Sequence, residues 1–498
     1  MAEILDATLT PGKVDLIAGW IGTQRWYAAK GQLPRLTRRR GFRFDDPAGE
    51  VGIETLVLRD DATSPPTVYQ VPVTYRGSPL PGAERALVGT MEHSVLGTRY
   101  VYDAPHDPVY VAALWRFLQG RTRAQAAGLS NTVEPAFRGH TVPRGYAAPH
   151  TGEVTASRVL GGEQSNTSIV CEVADLGPVI IKVFRTLSPG ANPDVVLQPA
   201  LVAAGCDHVP TTLGWVSGQW EDGLEDGHLA FAQEFLAGTQ DAWRVATESV
   251  AVGSDLTGGA AKLGEVVAQI HQILAEAFPT RRATADDRVA LVTGLRQRFR
   301  AAAAEVPELA DFAAAVHSRY DQALQASWPS LQRIHADLHL GQVIAHPARG
   351  WVVLDFEGEP MRPLAERALP DLPMRDLAGM LRSFDYAAGA YLQTHPDADA
   401  EAAWAWARRC GEQFLAGYRT HSDSTATYPE LLDALVLDKA LYEVVYEARN
   451  RPSWMPIPLT AVRDLLAAGA RAAYPSDPLP TDPSPLPAER RTVMEPVP

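Results

Sequence analysis

The chain has 498 residues, 46% of them hydrophobic, and a formal net charge of −14. That length exceeds one ordinary core and predicts two or three domains. The acidic balance argues against nucleic acid or an anionic membrane surface as a partner. Three widely spaced cysteines, Cys171, Cys206 and Cys410, make neither a disulfide framework nor a zinc pattern. The N-terminus lacks a basic segment followed by an apolar one, and no run approaches the roughly 18 apolar residues of a membrane span. The expectation is a soluble, cytoplasmic protein.

Residues 1 to about 130 read as a first unit. Pro11 to Ile21 predicts a short helix with Thr10 as its cap, and Arg25-Trp26-Tyr27 offers an aromatic anchor. Runs at 52–58, 67–75, 85–89 and 99–102 alternate apolar and polar residues between Pro, Gly and Asp turns, as antiparallel strands do. Pro72 predicts that its strand lies at an edge. Pro108 to Ala127 reads as an amphipathic helix, and the Pro- and Gly-rich residues 131–150 as a linker.

A second unit opens with strands at 153–160 and 168–172. Between them, Gly161-Gly162-Glu163-Gln164-Ser165-Asn166-Thr167 is either a plain hairpin turn or a loop whose backbone N–H groups contact phosphate. Lys182, one of five lysines, follows in an apolar strand and is the expected donor to ATP α/β-phosphates; the competing reading is a snorkelling edge lysine. Its acidic partner is sought on a helix starting near Pro193 with Asn192 as cap, where Asp194 or Gln198 is available. The strand from His228 runs to Glu234 and Leu236, which read either as a plain strand end or, on the resemblance named below, as an inter-lobe hinge whose backbone would meet adenine. From Thr239 the chain turns helical, and His271, within 260–277, reads as a packed helix residue.

Gln332 to Gln342 and Trp351 to Glu359 carry the chemistry. Asp337, in a His-x-Asp loop, suits the acceptance of a hydroxyl proton. Gln342 and Asp355 supply oxygen ligands of the kind Mg²⁺ takes. Glu357 and Glu359 could assist the metal or touch the acceptor. Asp376, near the start of the next helix, would on the resemblance named below brace the loop of Asp337 through backbone N–H groups. Lys439, Tyr442, Glu443 and Tyr446 fall on one face of a helix spanning 428–451. They suit a sugar, or else form a packed tyrosine stripe beside solvated charges.

Together these segments resemble the aminoglycoside phosphotransferase and choline kinase superfamily, and more closely the maltokinases. The resemblance rests on His335-Ala336-Asp337-Leu338-His339-Leu340-Gly341-Gln342, on Asp355-Phe356-Glu357-Gly358-Glu359-Pro360, on Glu163 to Thr167, and on Arg449-Asn450-Arg451-Pro452 with Trp454. Gln342 stands where most of the superfamily has Asn, and maltokinases share it; Val196 stands where related maltokinases have Glu. The resemblance covers roughly residues 15–470.

It implies an α+β, bilobal protein-kinase-like fold. A β-rich N-lobe (151–237) and a helical C-lobe (238–473) would follow an N-terminal cap (1–130) and the linker, with a disordered tail at 474–498. It implies an ATP- and Mg²⁺-dependent kinase that converts maltose to maltose 1-phosphate for α-glucan (glycogen) synthesis. Asp337 would be catalytic. Lys182, Gln164, Ser165, Asn166, Glu234 and Leu236 would bind ATP, and Gln342 and Asp355 the metal. His335, Glu357, Lys439, Tyr442, Glu443 and Tyr446 would bind the sugar. The implied partners are ATP and a small sugar, for a monomer or homodimer. The residues alone reach metal-assisted phosphoryl transfer and stop there. A glucosamine kinase making glucosamine 6-phosphate, a small-amine phosphotransferase and a pseudokinase binding module stay open.

Overall fold

Alternation of side chains along strands of the first unit builds a sheet with apolar residues on both faces. The computed structural model describes residues 7–128, 131–142, 150–161, 166–221, 226–359, 362–421 and 428–467. Gln164, Ser165 and the expected tail lie outside the described residues. In chain order the first unit comprises β1 (Leu9–Thr10), α1 (Lys13–Ile21), β2 (Leu36–Phe44), β3 (Gly52–Asp60), β4 (Thr67–Arg76), β5 (Leu87–His93), β6 (Gly97–Asp103), α2 (Pro108–Leu118) and β7 (Gln125–Ala126). The strands pair antiparallel in the order β1-β5-β6-β4-β3-β2-β7. On β3, Leu56 and Leu58 join Ile17, Trp20, Trp26 and Tyr69 in one core. Ile53 and Val57, on the opposite face, join Phe42, Leu114 and Phe117 in another.

Four expectations change here. Thr10 lies in β1, and the N-cap of α1 is Gly12, which makes no side-chain cap. β2 is added; its arginines hid the alternation. α2 ends at Leu118, far short of Ala127. Pro72 is in a central strand, because β4 pairs with β3 along one side and with β6 and β12 (Thr186–Leu187) along the other. The Gln70 N–H donates to the Arg185 carbonyl on that second side. Backbone direction alternates, so the nitrogen of Pro72 points to the same side. There β12 reaches only Val68–Tyr69 and β6 begins at Val73, so Pro72 removes no ladder bond.

The kinase-like N-lobe sheet runs β8 (Phe137–His140), β13 (Thr212–Gly218), β14 (Gly227–Glu234), β11 (Gly177–Phe184), β10 (Asn166–Val173), β9 (Val154–Val159). β8 falls inside 131–150, so that stretch is not simply a linker: it supplies the edge strand beside β13. Gly139 makes this possible, since a Cβ there would lie 1.8 Å from the Phe117 carbonyl oxygen. Val111, Leu114, Trp115 and Leu118 of α2 share a core with Ile169, Val179, Ile181 and Phe231 of this sheet. A boundary at residue 130 therefore does not separate two cores. α3 (Pro193–Ala203) follows, its Asn192 cap accepting from the Asp194 N–H.

The C-lobe begins with β15 (Gln240–Asp241), α4 (Ala242–Val252), α5 (Thr257–Ala277), β16 (Arg281–Arg282), α6 (Ala285–Glu305), α7 (Ala313–Gln325) and β17 (Ser330–Leu331). β18 (Val343–His346), β19 (Gly350–Val353), α8 (Leu364–Arg367), α9 (Met374–Thr394), α10 (Ala400–His421), α11 (Pro429–Asn450) and α12 (Pro456–Ala467) complete it. α9 runs through the lobe's core, with Leu377, Met380, Leu381 and Phe384 buried against Leu435, Ala440 and Phe414. Among the described residues, no helix is long and apolar enough to cross a membrane.

Candidate active site

Lys182 sits on β11 with its ammonium drawn between two carboxylates. Its Nζ lies 2.8 Å from Asp194 Oδ2 and 2.7 Å from Asp355 Oδ1, with Glu357 Oε1 at 3.8 Å. Asp194, on the first turn of α3, is fully buried, and its Oδ1 accepts the Phe356 N–H at 2.9 Å. The acid on α3 is thus Asp194. Gln198 is turned to the Pro210 carbonyl, and Val196 packs against the C-lobe core. Burial works against the charge of Lys182, but Asp194, Asp355 and Glu357 outweigh it and hold its pKa well above the ordinary value.

Carboxylate oxygens of Asp194, Asp355 and Glu357 all lie within 4.8 Å of one another. Asp355 is open on one side, at 39% side-chain exposure. Burial raises the Asp355 pKa, but Lys182 overrides it and the net direction is down. Glu357 goes the other way: burial, seconded by Asp355 and Asp194 and only partly opposed by Lys182, pushes it up to about 8. Glu357 Oε1 accepts from Asn166 Nδ2 at 3.0 Å, so Glu357 faces the N-lobe rather than the acceptor. Asn166, expected beside the phosphates, begins β10 at the edge of this cluster. Gln342 ends a short 3₁₀ turn, and its carbonyl accepts the Leu354 N–H at 2.8 Å, which sets it next to Asp355.

The loop that carries Asp337 is held from beneath. Asp376, at the start of α9, accepts from the His335 and Ala336 N–H groups, both at 2.8 Å, and from His271 at 2.9 Å. His271, read from sequence as a packed helix residue, is one of the loop's braces. Its second nitrogen bonds the Tyr418 hydroxyl at 2.9 Å. Ser383 Oγ accepts the Leu340 N–H at 3.0 Å. These bonds fix a loop in which Ala336 (φ 70°) and, across the site, Asp355 (φ 64°) occupy the left-handed region, strained for residues other than glycine.

His335 does not face the acceptor. It is buried, its Nε2 donates to the Leu354 carbonyl at 2.8 Å, and its Nδ1 accepts the Asp337 N–H at 3.3 Å. The expected sugar contact is instead an imidazole that ties the loop of Asp337 to the residue before Asp355.

Asp337 lines a cavity of about 250 Å³ together with Glu359, Arg362, Arg375, Lys439 and Tyr442. Lys439 Nζ lies 3.5 Å from Asp337 Oδ1 and 5.4 Å above the Tyr442 ring. Tyr442 and Tyr446 stack with centroids 6.5 Å apart, and both are exposed. Glu443 departs from expectation. It is bound by Arg382 at 2.7 and 2.9 Å and does not line the cavity. Sequence reasoning also missed Arg298, Arg362, Arg375 and Asp438. They come from separate helices and loops and carry no local motif. A larger cavity of about 410 Å³, bordered by His208, Lys262, Arg349 and Trp351, lies apart from Asp337 and Asp355. Size does not mark the site; the convergence of acids and cations does.

At the hinge, the Glu234 N–H donates to the Thr211 carbonyl at 2.9 Å, and the Leu236 carbonyl accepts from Thr239 Oγ1 at 3.0 Å. The Glu234 side chain pairs with Arg349 at 2.8 Å.

A two-lobed kinase-like frame, with an ammonium–carboxylate cluster joined through His335 to the loop that carries Asp337, defines a phosphotransferase. Residues 20–107 match the maltokinase N-terminal cap domain, and residues 157–414 match the phosphotransferase enzyme family. The second match spans more than half the chain, which belongs to that family. A glucosamine kinase of Streptacidiphilus jiangxiensis is 28% identical over 336 residues, 64% of this chain and 75% of that protein. One from Mycolicibacterium smegmatis is 29% identical over 344 residues, 63% of this chain and 80% of that protein. The solved structure of a glucosamine kinase in complex with glucosamine, ADP and inorganic phosphate aligns with a TM-score of 0.64, at 23% identity. It covers 92% of this chain and 100% of that one, a likeness of fold.

Proposed function

We propose that the chain transfers the γ-phosphoryl group of ATP to a hydroxyl of a neutral sugar. Maltose is the acceptor, and maltose 1-phosphate, a precursor for α-glucan (glycogen) synthesis, and ADP are the products. The observation that carries the reading is the setting of Asp337. It borders the acceptor cavity beside Lys439, while its own N–H is held by His335, which also grips the residue before Asp355. Acceptor and nucleotide sides therefore meet at one carboxylate.

In this reading Asp337 orients the sugar hydroxyl and accepts its proton. Lys182 steadies the α/β-phosphates, and the Glu234 carbonyl and Leu236 N–H meet the adenine edge. The oxygen donors of Asp355 and Gln342 fit Mg²⁺, a hard cation that keeps part of its water shell. When bound, Mg²⁺ supplies charge compensation for the phosphoryl group.

Charge favours a neutral acceptor. Glu443 and Glu447, which would suit an ammonium, are held by Arg382, Arg451 and Tyr386. Each acid of the cavity wall already faces a cation: Asp337 with Lys439 at 3.5 Å, Glu359 with Arg362 at 3.7 Å and Asp438 with Arg298 at 2.8 Å. Tyr442 and Tyr446 offer ring faces to the C–H surface of a second sugar ring. The second reading, glucosamine to glucosamine 6-phosphate, is favoured by the two relatives named for that activity. An ADP-release assay with maltose, glucose, glucosamine and an aminoglycoside separates the readings. Turnover is expected with maltose and lost in Asp337→Asn; turnover with glucosamine alone overturns the acceptor assignment.

A further inference from the structure

α9 touches both halves of the acceptor site. One part of it carries Asp376 and Ser383, which hold the catalytic loop at His335, Ala336 and Leu340. Another carries Arg382 and Tyr386, and these hold α11. Arg382 is buried to 1% exposure, yet its guanidinium makes three charge-assisted bonds: Nε and Nη2 to Glu443 Oε2 at 2.9 and 2.7 Å, and Nη1 to Asp385 at 2.7 Å. One turn further, the Tyr386 hydroxyl donates to Glu447 Oε1 at 2.8 Å. The two contacts are one helical turn apart on both helices, 382 and 386 against 443 and 447. Paired rungs of this kind fix both the height of α11 along α9 and its rotation about its own axis.

That rotation decides where Lys439 points. Lys439 lies one turn before Glu443 on the same face of α11, and it reaches Asp337 at 3.5 Å while Tyr442 faces the cavity. The hydrophobic contacts between α9 and α11 are non-directional and would tolerate small rotations. A buried guanidinium–carboxylate pair does not, because turning α11 would take the Glu443 carboxylate away from its cation.

Resting on the reading of Asp337 and its cavity as the acceptor site, we propose that Arg382 and Glu443 are positioning residues. Through their ion pair, the helix that holds the catalytic loop also sets Lys439 and Tyr442 against the sugar. Glu443 acts on the acceptor without touching it.

The test is steady-state kinetics of the full chain with whichever sugar the wild type turns over. If the wild type turns over no sugar at all, the proposed function fails, and that is distinct from failure of the pair. Glu443→Gln keeps shape and removes charge. It is expected to raise the KM for the sugar about tenfold and leave the KM for ATP within about twofold. Lys439→Met should do the same, and the double variant should cost less than the product of the two single effects. Arg382→Lys, which keeps the charge but not the two-pronged geometry, should fall between wild type and Glu443→Gln. An unchanged sugar KM in Glu443→Gln overturns the proposal. So does a parallel loss of Tm, kcat and both KM values, the signature of a merely structural pair.

Discussion

Lys182 and Asp194 form a buried ion pair at 2.8 Å, and the second oxygen of Asp194 holds the backbone of Phe356 at 2.9 Å. One carboxylate thus sets both the Lys182 ammonium and the loop that carries Asp355. Asp194→Ala should leave the Lys182 ammonium dependent on Asp355 and Glu357 and free the Phe356 N–H. The expected cost is about 1–3 kcal/mol of stability together with a raised KM for ATP. Denaturant unfolding and ATP titration check this. Val196→Glu, two residues further along α3, should not rescue the variant, because Val196 packs against the C-lobe core.

Asp376 accepts three hydrogen bonds in a buried setting. Its replacement by Ala leaves two backbone N–H groups and His271 without their acceptor, and a strained residue, Ala336, without its restraint. A loss of about 3–5 kcal/mol is expected. Asp376→Asn keeps one acceptor oxygen and should lose less. Thermal unfolding of both variants beside wild type, with kcat measured well below Tm, distinguishes the cases.

Glu357 gives a pH prediction. Its pKa rises from 4.5 to about 8 in the folded chain. The folded state therefore binds a proton that the unfolded state releases, and this contribution is fully present below 4.5 and is lost as pH climbs through about 8. In the absence of nucleotide and metal, the Tm of wild type should fall over that window more steeply than that of Glu357→Gln. Parallel Tm–pH curves for the two proteins would refute the shifted carboxyl.

The cap is joined to the lysine strand. Arg185, three residues after Lys182 and fully buried, donates to Asp103 at 2.6 Å and to Thr167 at 2.8 Å, and lies 4.9 Å over the Trp26 ring. Arg185→Met leaves Asp103 buried without its cation and should cost about 3–5 kcal/mol. If β11 transmits that disturbance, the KM for ATP rises while the KM for the sugar stays near wild type. Kinetics with each substrate varied in turn decide the point.

The amino-acid sequence by itself determined which residues are the candidates for chemistry. Asp337, Gln342, Asp355 and Lys182 stand in short motifs whose spacing survives without any view of the fold, and the Asn192 cap and the strands around Lys182 follow from local pattern. Contacts between distant segments were decided only by tertiary structure. His335 lies in the motif, yet its ring turns inward to the Leu354 carbonyl. Glu443 lies on the helix expected to face the sugar, yet Arg382, sixty-one residues earlier, draws it away. Pro72 is internal because β3 pairs with one edge of β4 and β6 and β12 with the other, and residues 137–140 become a strand because β13 is there to pair with them. Local propensity sees a few residues in either direction, whereas a buried charge takes its partner from whatever the folded chain brings within reach.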